Sequence, residues 1–230
     1  MLRILKKGMT TMKPDIETAA IKATETLLKY HITTAPVEPL PIIKRIKGVI
    51  VLSFAEMAEG MGIERSSVVG AFTRENHDAV TAVTITDGKV RYCIAYNQRL
   101  PFYMLQRALA RELGHIVLGH DGSRPEDVRT EEAVCFARHL LCPRPLIASL
   151  RDAGVPLTTE VIGNITGCYE RCIAGIRKEP GACVPAELNR AVRNQFAEYV
   201  ENFLDCHALF APSDESRIAD LGTYMENYVD

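Results

Sequence analysis

No stretch of the 230 residues approaches the roughly 18 consecutive apolar residues needed to span a bilayer, so no membrane partner is expected. The basic start, MLRILKKGMTTMK, has an apolar run of only a few residues, too short for the hydrophobic region of a signal peptide. Both observations lead to the expectation of a cytoplasmic protein. Charge of one sign is also missing: the formal net charge is -2, which gives no strong pull toward nucleic acid or an anionic surface. There is no internal repeat and no low-complexity tract. A disulfide framework is lacking too, because the seven cysteines (93, 135, 142, 168, 172, 183 and 206) are odd in number and scattered along helix-like stretches. Cys168 and Cys172 lie one helical turn apart without a second Cys/His pair nearby, which suits two small half-buried side chains better than a metal or redox pair.

What is present is an ordinary globular composition. Apolar residues make up 47% and charged residues 24%, which excludes a wholly disordered chain. The length allows one substantial domain, or a compact domain of about 150 residues with a helical part appended.

Asp15 is placed to cap a helix carrying Ile16, Ala19, Ala20, Ala23, Leu27 and Leu28 on one side, and APVEPLP then breaks the pattern. This predicts an N-terminal helical arm over 1–48. VIVLSF, 49–54, suits a short buried strand. TAVTIT, Asp87-Gly88 and KVRYCIAYN form the clearest local signal, a hairpin with a two-residue turn and alternating side chains. Pro101 then opens a helix with Leu105, Leu109, Leu113, Ile116 and Val117 as its core stripe and Gly119 as its stop. Ala108, Arg111, Glu112 and His115 share an adjacent face. After the polar loop DGSRPEDVR, a second helix is expected from near Thr130 to the prolines at 143 and 145. A compact part with a small sheet and two helices is thus expected over 49–155. Residues 156–230 read as helical: two short segments around Gly167, and one long amphipathic stripe over 185–210, with EPGACVP (179–185) as a boundary.

The chemistry concentrates in ARELGH and the two helices around it. A hydrolytic zinc site needs about three protein ligands, an open position for water and a carboxylate to take the water's proton. Histidines four apart on one helix supply two ligands, and the residue after the first reaches the water. Glu112 and His115 fit two of these roles. Arg111 cannot take the remaining one, since a guanidinium stays protonated and has no lone pair to give.

ARELGHIVLGH, followed by EEAVCFARHLLCPRPLI and preceded by IAYNQRLP, resembles the ImmA/IrrE family of metallo-endopeptidases over roughly residues 80–150. The resemblance implies an α+β fold, with a small gluzincin-like domain made of a short sheet and two motif helices. It also implies a zinc-dependent peptidase that cleaves a specific repressor in a bacterium or mobile element. Carried over by position, Glu112 matches the catalytic glutamate, His115 the second histidine ligand, and Glu132 (with Glu131 as the alternative) the acidic third ligand. Arg111 stands in the place of the first histidine, and Val134 in that of an asparagine.

Three readings are open. Zinc could be held by an altered set, His115 with Glu131 or Glu132 and one of His120, Cys135 or His139. Alternatively Arg111 replaces the metal's charge by pairing with Glu131 or Glu132, leaving a catalytically inactive pseudo-peptidase that binds a regulatory protein. Thirdly, 157–178 could form a helix-turn-helix that brings Arg171, Arg177 and Lys178 to DNA phosphates. A simple helical hairpin, or a repressor-docking segment, fits that stretch equally well.

Overall fold

The computed structural model describes residues 12–73, 78–86, 89–121, 123–178 and 184–210. It is a mixed α+β structure. Eleven helices and three strands are described: α1 (Ile16–Lys29), α2 (Pro39–Lys44), β1 (Val49–Ser53), α3 (Phe54–Met61), α4 (Arg65–Thr73), β2 (Ala79–Thr86), β3 (Lys89–Tyr96), α5 (Phe102–Val117), α6 (Glu126–Leu141), α7 (Arg144–Asp152), α8 (Thr159–Thr166), α9 (Glu170–Lys178), α10 (Ala186–Gln195) and α11 (Ala197–Phe210). None of these helices is long and apolar enough to cross a membrane.

The hairpin forms as its alternation requires. β2 runs antiparallel to β3, with Thr81 opposite Ile94 and Val83 opposite Tyr92, while the Asp87-Gly88 turn lies outside the described residues. β1 joins the other side of β3 in parallel, giving the order β1-β3-β2. Successive side chains of a strand face opposite ways. Ile94 accordingly enters the main core, and Ala95 a smaller cluster with Phe54, Ala58 and Val68 under α3 and α4. β1 is an edge strand rather than a buried one, and Ile50 is 53% exposed. It also ends one residue earlier than its apolar run. Ser53 accepts from the Glu56 N–H at 3.1 Å and donates its own N–H to the Glu56 carboxylate at 2.6 Å, a capping box that turns the chain into α3.

β3 leads into α5 through Asn97, whose side chain accepts from the Arg99 N–H at 3.1 Å and reverses the chain. α5 and α6 pack so closely that a Cβ on Gly114 would stand 3.0 Å from the Phe136 ring and 3.2 Å from Ala133 Cα. α6 begins four residues before the expected Thr130, in the loop's own PEDVR. The apolar face of α1, Ala19, Ala20, Ala23 and Leu27, lies in the same core as Leu109, Phe136 and Phe196. The C-terminal stripe is two helices rather than one, with a break at Phe196.

Candidate functional site

The cleft lies between β2, the C-terminal half of α5 and the start of α6. It encloses about 500 Å³ and is lined by Thr81, Arg111, Glu112, His115, His120 and Arg129 among others. Its two histidines are brought together by a helix ending written in the sequence. Gly119 adopts φ 67°, and the His120 N–H donates to the His115 carbonyl at 3.0 Å, the backbone closure of a Schellman motif. The chain after Gly119 therefore folds the second imidazole onto the first, with ring centroids 5.0 Å apart.

Arg111 stays on the cleft side but does not cross to α6. Its Nε and Nη2 donate to one Glu112 oxygen at 3.1 and 3.0 Å, and Nη2 also donates to the Ala79 carbonyl at 3.2 Å. Thr81 donates its hydroxyl to the other Glu112 oxygen at 2.7 Å. The expected pairing of Arg111 with Glu131 or Glu132 is thus replaced by one with Glu112. Glu131 is exposed, and Glu132 has a different cation. Arg124, from the loop between the motif helices, grips the Glu132 carboxylate at 2.8 and 2.9 Å. Glu132 is 1% exposed and accepts two further bonds, from the Asp15 N–H at 2.7 Å and from His120 Nε2 at 3.0 Å. Its charge sits against the N-terminus of α1, which favours an anion.

The partners assign the proton positions. A carboxylate only accepts, so His120 Nε2 carries the hydrogen. Burial and nearby cations lower the pKa of His120, and burial above all, with the charges of His120, Arg111 and Arg129, lowers that of His115 to about 4. Both rings are neutral near pH 7. His120 Nδ1 is then a bare acceptor, and His115 Nδ1–H donates to it across 2.8 Å. Nε2 is left as the one lone pair of His115.

This donor set does not fit a zinc ion. Glu132 accepts four hydrogen bonds, Glu112 accepts three with the Arg111 cation on one of its oxygens, and His120 has spent both nitrogens, so a metal would find His115 Nε2 and a single lone pair of Glu112 Oε2. Among the described residues, no three His, Cys, Asp or Glu side chains are grouped so as to hold an ion. Cys135 lies against α1, with its thiol 3.6 Å from the Ile16 carbonyl, and His139 lines a different pocket, together with Thr24 and Leu27. Of the alternative ligands only His120 joins His115 and Glu132.

No family model, curated protein or solved structure matches the chain. The site is therefore read from its own geometry. Two of its residues escaped the sequence reading. Thr81 could have been found from the hairpin register, which turns odd-numbered β2 residues toward α5. Arg124 had no pattern to mark it, although it lies in the loop that joins the two motif helices.

In the 157–178 segment, Thr158 caps α8 by accepting from the Val161 N–H at 3.1 Å, Gly167 ends it at φ 66°, and α9 follows. Arg171 lines a cavity shared with α5 and α6. The side chains of Arg177 and Lys178 lie outside the described residues.

Proposed function

We propose that this chain is a non-hydrolytic regulator built on an ImmA/IrrE-like metallopeptidase scaffold, and that its cleft binds an extended segment of a partner protein, a repressor in the family's own terms. One observation carries the reading: Arg111 stands where a zinc-binding histidine would, and its guanidinium is bonded to Glu112, the carboxylate that would otherwise activate water. The burial of Glu132 under Arg124 supports it, because a cation there does what a metal's charge would do for a buried carboxylate.

Among the described residues β2 is an edge strand, which supports an extended occupant. The Asp78 carbonyl accepts from the Asn97 N–H, so by alternation Asp78, Val80 and Ala82 turn their backbone groups toward β3. The N–H and C=O groups of Ala79, Thr81 and Val83 point the other way, along the cleft. Arg111 already uses the Ala79 carbonyl, which leaves Thr81 and Val83 for a strand added by the partner.

The test is zinc content of tag-free protein, measured beside His115→Ala. Well below one equivalent is expected in both. Near-stoichiometric zinc that disappears in His115→Ala overturns the reading and restores a rebuilt hydrolytic site.

A further inference from the structure

Cys168 and Cys172 are spaced as one helical turn in the sequence, but they do not share a helix. α8 ends at Thr166, Gly167 turns the chain at φ 66°, and α9 starts at Glu170, so Cys168 lies in the corner between the helices and only Cys172 is helical. The corner is fixed by its backbone: the Cys168 N–H donates to the Thr166 hydroxyl at 3.2 Å, and the Cys172 N–H to the Tyr169 carbonyl at 2.9 Å. It folds the two thiols against each other, and they share a hydrogen bond. Both side chains are buried, at 8% and 6% exposure. Cys168 nevertheless lines an open cavity of about 600 Å³ between the start of α5 and α8, beside Phe102, Tyr103 and Gly163, which gives a small oxidant a route to its sulfur. Cys172 lies behind it, on a separate cavity between α5, α6 and α9.

The two thiols are chemically unequal. The hydrogen bond from Cys172 favours a thiolate at Cys168 and lowers its pKa, while the same bond, together with burial, raises that of Cys172. Cys168 also stands just ahead of the first turn of α9, whose free N–H groups favour a negative charge. A thiolate is the form that reacts with a peroxide, and a second thiol in contact with it then displaces the oxygen. Two sulfurs already in contact need only a small movement to reach a bond of about 2.05 Å.

We propose that Cys168 and Cys172 form a hydroperoxide-reactive dithiol, in which Cys168 attacks the peroxide and Cys172 closes a disulfide. The Cys168 sulfur bonds to one peroxide oxygen as the O–O bond breaks, and the other oxygen leaves as water or an alcohol, taking the proton that Cys168 gave up. Cys172 then attacks the sulfenic sulfur: the S–S bond forms, the S–O bond breaks, and the oxygen leaves as water with the Cys172 proton. Two electrons pass from the thiol pair to the peroxide. The proposal does not rest on the reading of the cleft. Hydrogen peroxide, at one equivalent, is added to the native full chain, and the remaining thiols are alkylated. Trypsin, which cuts after Arg171, separates the two cysteines, so a bridge is read by mass spectrometry as two joined peptides. Loss of two of the seven thiols as a Cys168–Cys172 link is expected, with much less of it in chain unfolded in urea beforehand. In Cys172→Ser, dimedone should label Cys168 as a sulfenic acid, and in Cys168→Ser it should leave Cys172 unlabelled. Recovery of both cysteines as alkylated thiols in the native chain, a link from Cys172 to Cys142 instead, equal linking in the unfolded chain, or dimedone on Cys172 of Cys168→Ser would each overturn it.

Discussion

At the scale of single residues, the cleft shows how two buried carboxylates are neutralised. Glu112 takes Arg111 and Glu132 takes Arg124, so each buried carboxylate has its own positive partner. The two histidines are left neutral in the folded state, and this has a consequence for pH. The unfolded chain binds a proton at each near the ordinary value of about 6.5, whereas His115 in the fold does so only at about 4. Between those values the unfolded state holds more protons, so stability rises with pH and is lost as pH falls through that window. His120, also lowered, adds in the same direction. Urea midpoints measured across the window should fall with acidification, by on the order of 2 kcal/mol from His115 after allowance for its partial exposure. His115→Gln should flatten that part of the slope. A slope unaltered in His115→Gln would show that the imidazole is not buried neutral.

Elements differ in how plainly the sequence announces them. The hairpin, α1 with its Asp15 cap, and α5 with its Gly119 stop were legible because each carries a strong period and a residue that only one backbone geometry suits. The extra helices α3 and α4 were not, since the apolar run 49–54 conceals the point where Ser53 and Glu56 end a strand and start a helix. The C-terminal stripe concealed its break at Phe196 for a related reason: apolar spacing continues across a corner when both helices bury the same side. Of the site, Glu112, His115, His120 and Glu132 were legible through their motif, and the cations that neutralise them depend on tertiary geometry that no spacing records. Gly114 is where element packing and site meet. An alanine there gains up to about 1 kcal/mol in helix propensity, yet its methyl group would press on Phe136 and Ala133 at 3.0 and 3.2 Å. Overpacking of that kind costs about 1–3 kcal/mol, so Gly114→Ala should lower the thermal midpoint and part α5 from α6, which would also loosen the His120 to Glu132 bond. A variant more stable than the unmodified chain would show that the two helices have room to spare.

Across the whole molecule, the site is assembled by parts distant in sequence that share one core. α1 supplies the Asp15 N–H to Glu132 and buries Leu27 to 1% exposure among residues of α5, α6 and α10. Gln195 of α10 clasps the far end of α1 by donating to the Leu27 and Ile32 carbonyls at 2.9 and 2.7 Å. An arm that merely rested on the rest of the chain would unfold without disturbing it. Here the helix both fills the core and seats a buried carboxylate, so loosening it should be felt in the cleft. Leu27→Ala removes side-chain volume from a closed position and should cost about 2–5 kcal/mol. The loss should be shared: amide hydrogen exchange should quicken in α5 and β3 together with α1, because all of them open in the same cooperative step. Faster exchange confined to α1, with α5 and β3 protected as before, would show instead that the N-terminal helix is a separate unit and that Glu132 keeps its place without it.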